Sequence, residues 1–261
     1  MPCEELGKKP VVNSLEETMK SRPPIKWSYG VTTVPCRKDS LLPMTLSSLR
    51  VAGFPEPRLF VDGATPKQAR EYEEQFGLLV TSRNPTIRTY MNWVLALAEL
   101  YGREPYANFY AVFQDDFVTY SNLRQYLEKC EYPGRGYWNL YTFPVNQAIC
   151  PKHPNGLEKI GWYPSNQLGR GAVALVFNRE TVLTLLTHQH MVERPIDVDR
   201  GWKAVDGGVV TALNKAGWQE FVHNPSLVQH QGTISTMRNK PHKQATSFKG
   251  TDFDAMNLLG Q

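Results

Sequence analysis

The chain has no long hydrophobic run, either near its start or elsewhere. No window of about 20 residues is apolar enough to cross a bilayer. Residues 1–20 are polar and charged, and they lack the apolar core of a signal peptide. We therefore expect a cytoplasmic protein, or one whose leader has been removed, with no membrane span.

Cysteine and net charge are also scarce. The four cysteines, Cys3, Cys36, Cys130 and Cys150, form no CxxC pair, which argues against a zinc ribbon. We interpret them as free thiols, with one disulfide left open. The net charge of +4 suits anionic substrates but is too small by itself to indicate nucleic-acid binding.

Short apolar runs alternate with amphipathic segments through the first half of the chain. Strands are predicted there at 27–34, 58–61, 78–81 and 109–118, and helices at 41–52, 65–76 and 89–101. This alternation is typical of an α/β protein with a mostly parallel sheet flanked by helices. The second half is less regular, with strands predicted at 137–143, 172–177 and 221–228, helices at 180–190 and 206–216, and a loop at 157–167.

The most informative segment is 109–118, an apolar and aromatic run interrupted near its end by two adjacent carboxylates, Asp115 and Asp116. Carboxylates at the carboxyl end of a buried strand lie where open α/β sheets bind ligands. They repel each other unless a cation or hydrogen-bond donors neutralise them. Mg²⁺ or Mn²⁺, shared with substrate phosphates, is the natural partner of such oxygens. The alternative is a strand that runs into an acidic turn.

The loop after the first predicted strand is a second candidate region. It contains Thr32, Val34 and Pro35, followed by Arg37. Its backbone groups could hold a nucleotide base while Arg37 supplies positive charge. The alternative interpretation of Arg37, and the more common one for such a residue, is a solvated loop cation.

Two further candidate site residues, Asp206 and His230, lie next to apolar segments. Asp206 precedes two glycines and an apolar helix. Asp is a favoured helix N-cap because its carboxylate accepts unpaired backbone N–H groups. The same carboxylate could act as a general base beside an acceptor space opened by glycine, and the two roles are compatible. His230 follows an apolar strand and could ligate a metal through a neutral imidazole, although a lone histidine is more often structural.

Together these segments resemble the GT-A type glycosyltransferases, which use nucleotide-diphosphate sugars and a divalent metal. The resemblance spans roughly residues 27–235. It rests on the strand with Asp115 and Asp116, the loop after the first strand, the helix start at Asp206 and the segment at His230. This last segment and the acidic strand are together similar to the N-acetylglucosaminyltransferase IV type.

Gln114, Asp115 and Asp116 form a DXD-like motif that departs from the family pattern at its first position. Gln114 stands where related enzymes often carry Glu or Asp. The resemblance therefore leaves Asp116 as the main protein ligand of the Mn²⁺ or Mg²⁺ ion, together with His230. Asp115 would then orient the ribose or a metal-bound water.

The resemblance also implies the architecture. We expect one GT-A, Rossmann-like catalytic domain over 1–261, with a mostly parallel central sheet flanked by helices and a smaller antiparallel sheet on the acceptor side. Its parts would be an N-terminal arm at 1–26, a nucleotide-sugar-binding half at 27–117, an acceptor half at 118–233 and a C-terminal tail at 234–261. The donor would be a UDP-sugar.

Roles for further residues follow from the same resemblance. Asp62 would contact the base or ribose, and Arg88 and Asn92 would approach the nucleotide or its diphosphate. Gly171 would let an acceptor sugar lie against the backbone. Aromatic rings could stack on that sugar, although each ring is by itself more typical of core or loop packing. These rings belong to Trp162, Tyr163 and Trp202.

The implied reaction is an in-line displacement that inverts the anomeric carbon, with Asp206 accepting the proton of the acceptor hydroxyl. A retaining reaction needs no such base and stays open. The acceptor could be a glycan, a small molecule or a hydroxymethylated pyrimidine in phage-type DNA, which the basic run 238–243 could help to hold. Two other classes also stay open: a nucleotide-sugar-binding or nucleotidyltransferase-like module without transfer activity, and a metal-dependent phosphoryl hydrolase.

Overall fold

A computed structural model describes residues 23–193, 204–231 and 243–260. Its strands are β1 (Trp27–Thr33), β2 (Arg58–Asp62), β3 (Val80–Arg83), β4 (Phe109–Gln114), β5 (Phe117–Thr119), β6 (Gly136–Asn139), β7 (Gly161–Pro164), β8 (Ala174–Asn178), β9 (Gln219–Asn224) and β10 (Val228–His230). Its α-helices are α1 (Leu41–Val51), α2 (Pro66–Phe76), α3 (Arg88–Arg103), α4 (Leu123–Lys129), α5 (Pro144–Gln147), α6 (Arg179–Thr187), α7 (Gln189–Val192) and α8 (Val205–Lys215). Short 3₁₀ helices lie at Pro35–Arg37 and Ala255–Leu258.

Within the described residues, eight strands form one sheet in the order β3-β2-β1-β4-β8-β6-β9-β7. The first four of these strands run parallel to one another. β8 is antiparallel to both β4 and β6, while β9 is parallel to β6 and antiparallel to β7. A separate two-stranded antiparallel sheet pairs β10 with β5. The predicted α/β architecture is therefore confirmed, with its large, mostly parallel sheet, flanking helices and smaller antiparallel sheet.

The side chains of β4 alternate between the two faces of the large sheet. Ala111 and Phe113 pack in the hydrophobic cluster that contains α1, whereas Tyr110 and Val112 pack in the cluster that contains Trp93 of α3. This alternation with a period of two residues is what a strand buried on both faces requires. The helices cover the faces, so the open edge at the carboxyl ends of the parallel strands is free to form a site.

The helix α2 shows how local sequence sets the ends of an element. Thr65 and Gln68 form a reciprocal capping box, in which the Gln68 N–H donates to the Thr65 Oγ1 at 3.3 Å and the Thr65 N–H donates to Gln68 Oε1 at 2.9 Å. Gly77 ends the helix with a φ of 67°, a left-handed conformation that favours glycine.

Two predicted strands proved shorter in the structure. The acidic strand predicted at 109–118 is two strands, because β4 ends at Gln114 and β5 begins at Phe117 in the other sheet. The strand predicted at 137–143 ends at Asn139, whose Oδ1 accepts the Tyr141 N–H at 3.1 Å. This local side-chain bond takes the place of a bond between strands.

Other boundaries in the second half were also wrong. The loop predicted at 157–167 contains β7, which is held by antiparallel pairing to β9, a partner far along the chain. The strand predicted at 221–228 divides into β9 and β10. The helix predicted at 180–190 breaks at His188, whose Nδ1 accepts the His190 N–H at 3.1 Å and so starts α7.

The cysteines within the described residues, Cys36, Cys130 and Cys150, are free thiols, as predicted. Cys3 lies outside the described residues. In the described part of the chain, no helix has both the length and the apolar character needed to cross a membrane.

Candidate active site at the carboxyl ends of the parallel strands

A cleft of about 640 Å³ opens where β1, β2 and β4 end. The structure brings candidates for both the donor side and the acceptor side into this one space. The residues predicted from the sequence that line it are Thr32, Val34, Arg37, Asp62, Asn92, Asp115, Asp116, Gly171, Asp206 and His230.

The two adjacent carboxylates are buried and share one cation. Asp115 accepts hydrogen bonds from the Thr33 hydroxyl at 2.5 Å and from Nη1 of Arg37. The same Nη1 donates to Oδ2 of Asp116 at 2.6 Å. Burial raises the pKa of Asp115 to about 6, with the charge of Asp116 adding to the rise and Arg37 opposing it. Two carboxylates facing one guanidinium therefore leave an excess of negative charge in the cleft.

Arg37 is not the solvated loop cation of the alternative interpretation. Its side chain is only 11% exposed, because the 3₁₀ helix Pro35–Arg37 turns it inward beneath the cleft. Burial by itself lowers the pKa of Arg37, but Asp115 and Asp116 raise it above the ordinary value. Pro35 stands at the start of this turn and does not itself line the cleft.

Asp116 retains one oxygen that nothing in the described structure satisfies. Its Oδ1 is buried and has no hydrogen-bond partner. Its Oδ2 lies 3.5 Å from Nε2 of His230, because the pairing of β10 with β5 sets His230 opposite Phe117. A buried carboxylate oxygen without a partner is costly, and a metal ion would satisfy it.

The donor set fits a divalent metal in part. In residues 23–193, 204–231 and 243–260, no three His, Cys, Asp or Glu side chains converge closely enough to hold an ion alone. Mg²⁺ sites, however, use one or two carboxylates and leave the remaining positions to water and substrate phosphates. Asp116 and His230 can supply such a partial set of ligands.

Asp62 supports the helix that borders the cleft. Its carboxylate accepts the Thr86 hydroxyl at 2.7 Å, the Ile87 N–H at 2.7 Å and the Arg88 N–H at 2.8 Å. It thereby supplies acceptors to backbone N–H groups at the start of α3, where the N-cap residue Ile87 forms no side-chain cap. The sequence did not predict this role, because the bonds join segments that are distant in sequence.

The predicted nucleotide contacts at the start of α3 differ in placement. Asn92 lines the cleft, and its Nδ2 donates to the carbonyl of Phe60 at 3.0 Å. Its Oδ1 is buried and has no hydrogen-bond partner among the residues that the structure describes, so it can accept from a ligand. Arg88 is not among the residues that line the cleft, and its backbone has a φ of 72°.

Asp206 lies on the same cleft as the acidic pair. It is the second residue of α8 rather than the N-cap, which is Ala204, so the N-cap prediction was wrong by two positions. Its Oδ2 accepts the Gly171 N–H at 2.9 Å and its Oδ1 accepts the Gly207 N–H at 2.9 Å. Both oxygens of the Asp206 carboxylate are therefore held by backbone N–H groups.

Two of the three aromatic residues predicted to stack on an acceptor, Trp162 and Tyr163, do not line the cleft. Trp162 stacks on Trp138 with ring centroids 4.7 Å apart, and Tyr163 is buried and donates to the carbonyl of Asn146 at 3.0 Å. Both lie on β7 at the edge of the sheet, where the pairing of β7 with β9 positions their side chains for packing. Trp202 lies outside the described residues.

The structure adds cleft residues that the sequence analysis did not place at this site. Lys243 reaches the cleft from the C-terminal segment, where its carbonyl accepts the hydroxyl hydrogen bond of Tyr141. No local signal distinguished Lys243 from the rest of the basic run, whose other members at 238–242 lie outside the described residues. The further lining residues include Thr33, Thr89, Tyr141, Phe143, Val145 and Arg170.

Comparisons with known proteins give the fold but no family. No protein-family model matches the chain, and no curated protein matches it. The chain is similar to the crystal structure of GalNAc-T7 with UDP, GalNAc and Mn²⁺, at 11% identity and a TM-score of 0.50, over 87% of this chain and 45% of that chain. This likeness shows a shared α/β fold of the GT-A type.

Two further solved structures are similar at lower scores. One is a cytidylyltransferase from Leptospira borgpetersenii, at 12% identity and a TM-score of 0.42, over 90% of this chain and 92% of that chain. The other is A197 from STIV, at 13% identity and a TM-score of 0.41, over 86% of this chain and 97% of that chain. The fold and the cleft together define an α/β protein of GT-A-like architecture with an acidic site at the end of its parallel strands.

Proposed function

We propose that this protein is a metal-dependent glycosyltransferase that moves a sugar from a nucleoside-diphosphate donor, a UDP-sugar, to a hydroxyl acceptor. The observation that carries the proposal is the buried Asp116, with one unsatisfied oxygen and His230 beside it, on the same cleft as Asp206. The similar GalNAc-T7 structure, which contains UDP, GalNAc and Mn²⁺, supports this choice of ligands.

The donor side of the cleft would be formed by the ends of β1 and β4 together with α3. Thr32, Val34 and Asn92 would hold the nucleotide, and Asp116 with His230 would hold the metal. When bound, the metal would neutralise negative charge that develops on the departing diphosphate. Charge on that leaving group is where a preorganised site lowers the barrier most.

Asp206 would act on the acceptor side as the general base. Its carboxylate is held by the N–H groups of Gly171 and Gly207, so its orientation is fixed before the acceptor arrives. It would accept the proton of the attacking hydroxyl, and the sugar carbon would be inverted in one displacement. The acceptor would be a glycan or a small hydroxyl compound that lies against Gly171.

Donor binding can be tested with Asp116→Asn and the exposed matched control Asp252→Asn. Nucleoside-diphosphate sugars should raise the melting temperature of the wild type when Mn²⁺ is present, because a ligand that binds only the folded state stabilises it. Asp116→Asn should lose this shift and Asp252→Asn should keep it. The proposal fails if no sugar nucleotide produces a metal-dependent shift in the folded wild type.

Transfer can be separated from binding with Asp206→Asn, which keeps an oxygen to accept the Gly171 N–H. We expect donor binding to survive and transfer to fall by about 10²- to 10⁴-fold, the typical contribution of a general base. Transfer would be followed by release of the nucleoside diphosphate with and without acceptor. Unchanged transfer in this variant would leave Asp206 a purely structural residue, and release of free phosphate that ignores acceptors would indicate a hydrolase.

A further inference from the structure

Arg37 occupies the position from which it can compete with a metal. Its Nη1 is within hydrogen-bond distance of Asp115 and lies 2.6 Å from Oδ2 of Asp116. That oxygen is also the one that lies 3.5 Å from Nε2 of His230. A divalent ion held by Asp116, whether on the free Oδ1 or shared with His230 at Oδ2, would bind the same buried carboxylate as the guanidinium, and two cations on one buried carboxylate repel each other.

From this geometry we propose that Arg37 competes with the divalent cation for Asp116. When the donor binds, its diphosphate draws Arg37 away from Asp116, and the cation can then bind there. The proposal rests on the proposed function, because it assumes that Asp116 holds a metal. The consequence is that the two ligands bind cooperatively. The free protein binds the cation weakly, and it binds cation and nucleotide tightly when both are present.

The contacts of Asp115 explain how Arg37 could release Asp116 and still remain bound in the site. Asp115 is held by the Thr33 hydroxyl at 2.5 Å as well as by Arg37, so it remains an anchor for the guanidinium. Arginine carries five N–H donors in a rigid fork and binds phosphate oxygens readily. Arg37 can therefore keep Asp115, release Asp116 and turn its other donors to the diphosphate.

The energetic coupling must be mutual. If nucleotide binding raises the affinity for the cation by some factor, the cation must raise the affinity for the nucleotide by the same factor. Factors between such sites are typically about 5- to 150-fold. A diphosphate also ligates the metal directly, which by itself raises the affinity for the cation. The contribution of Arg37 is therefore the part of the increase in affinity that is lost when the charge of Arg37 is removed.

The test measures Mn²⁺ binding directly, from the electron paramagnetic resonance signal of the free ion, in wild type, Arg37→Gln and Arg37→Lys. We expect Arg37→Gln to bind Mn²⁺ about tenfold or more tightly than the wild type in the absence of nucleotide. Arg37→Lys keeps the charge and should stay closer to the wild type. Arg124→Gln, which removes an arginine paired with Glu128 on α4, is the matched control and should leave Mn²⁺ affinity unchanged.

A second series adds UDP as the probe. UDP should tighten Mn²⁺ binding by a larger factor in the wild type than in Arg37→Gln. Adding Asp116→Asn to Arg37→Gln should abolish the tight binding, which places the ion at this site. Circular dichroism and urea unfolding would confirm that each variant is folded.

The outcomes separate this inference from the proposed function. If Mn²⁺ binds through Asp116 equally well in wild type and Arg37→Gln, the competition is refuted while the metal site stands. An equal effect of UDP in both proteins would refute the displacement by the donor. If no variant binds Mn²⁺, with or without UDP, the metal-dependent function itself is overturned, and the competition falls with it.

Discussion

Replacement of Gly171 by alanine tests the close packing that positions Asp206. Gly171 has a φ of +76°, and its N–H donates to the Asp206 carboxylate at 2.9 Å. A Cβ at this position would lie 2.7 Å from Cε1 of the Tyr141 ring and nearer still to Cδ1. The substitution therefore imposes both a strained backbone and a collision.

The strained backbone and the collision each contribute to the expected loss in the free energy of unfolding. A left-handed conformation costs a residue with a Cβ about 1–2 kcal/mol. Overpacking in a filled interior adds about 1–3 kcal/mol. Tyr141 cannot move aside easily, because its ring is buried and its hydroxyl is bonded to the carbonyl of Lys243. We expect Gly171→Ala to lower the free energy of unfolding by roughly 2–5 kcal/mol.

The matched control is Gly77→Ala, at the end of α2. Gly77 has a similar φ of +67°, but a Cβ there would meet nothing within 4 Å. Both variants lose the extra freedom of glycine in the unfolded chain, so that effect cancels between them. Urea unfolding should show Gly171→Ala to be less stable than Gly77→Ala by about 1–3 kcal/mol, the cost of the collision alone. Equal losses in the two variants would refute the close approach of Gly171 to Tyr141.

Two further predictions concern stability. His223 is fully buried, and burial lowers its pKa from 6.5 to about 4. Between these two pH values the unfolded chain therefore binds a proton at His223 that the folded chain does not bind. Roughly 3 kcal/mol of stability should therefore be lost as pH falls from about 6.5 to about 4, and urea unfolding of His223→Gln should lack this part of the pH dependence. Thr65→Ala removes the capping box of α2 and should cost about 1 kcal/mol. Ser40→Ala, at an N-cap without a side-chain hydrogen bond, should cost much less in the same assay, and equal costs would contradict the capping argument.

The first half of the fold was predictable because its signals are local. Each helix from α1 to α3 shows its apolar spacing within one segment, and Gly77 marks the end of α2. The parallel strands β1, β2 and β4 end at one edge of the sheet, which brings the acidic pair close to Asp62, a residue that the sequence assigned to the site through the family resemblance.

The second half was less predictable because its strands depend on distant partners. Trp162 was predicted as a ring that could stack on a sugar, with packing as its more typical role. It is packed on Trp138, a contact that no spacing in the sequence reveals. The bond from Arg37 to the acidic pair joins residues 78 and 79 positions apart. Lys243 reaches the cleft only because the C-terminal segment returns to it.

The division of the acidic segment into two strands is what makes the candidate site chemically coherent. Had one strand continued through the acidic pair, its alternation would have sent Asp115 and Asp116 to opposite faces of the sheet. No single cation could then have contacted both carboxylates, yet Arg37 does. The chain instead leaves the large sheet at the pair, and β5 starts at Phe117 opposite His230 in the small sheet. The same turn therefore gathers both carboxylates around one cation and brings the imidazole to Asp116.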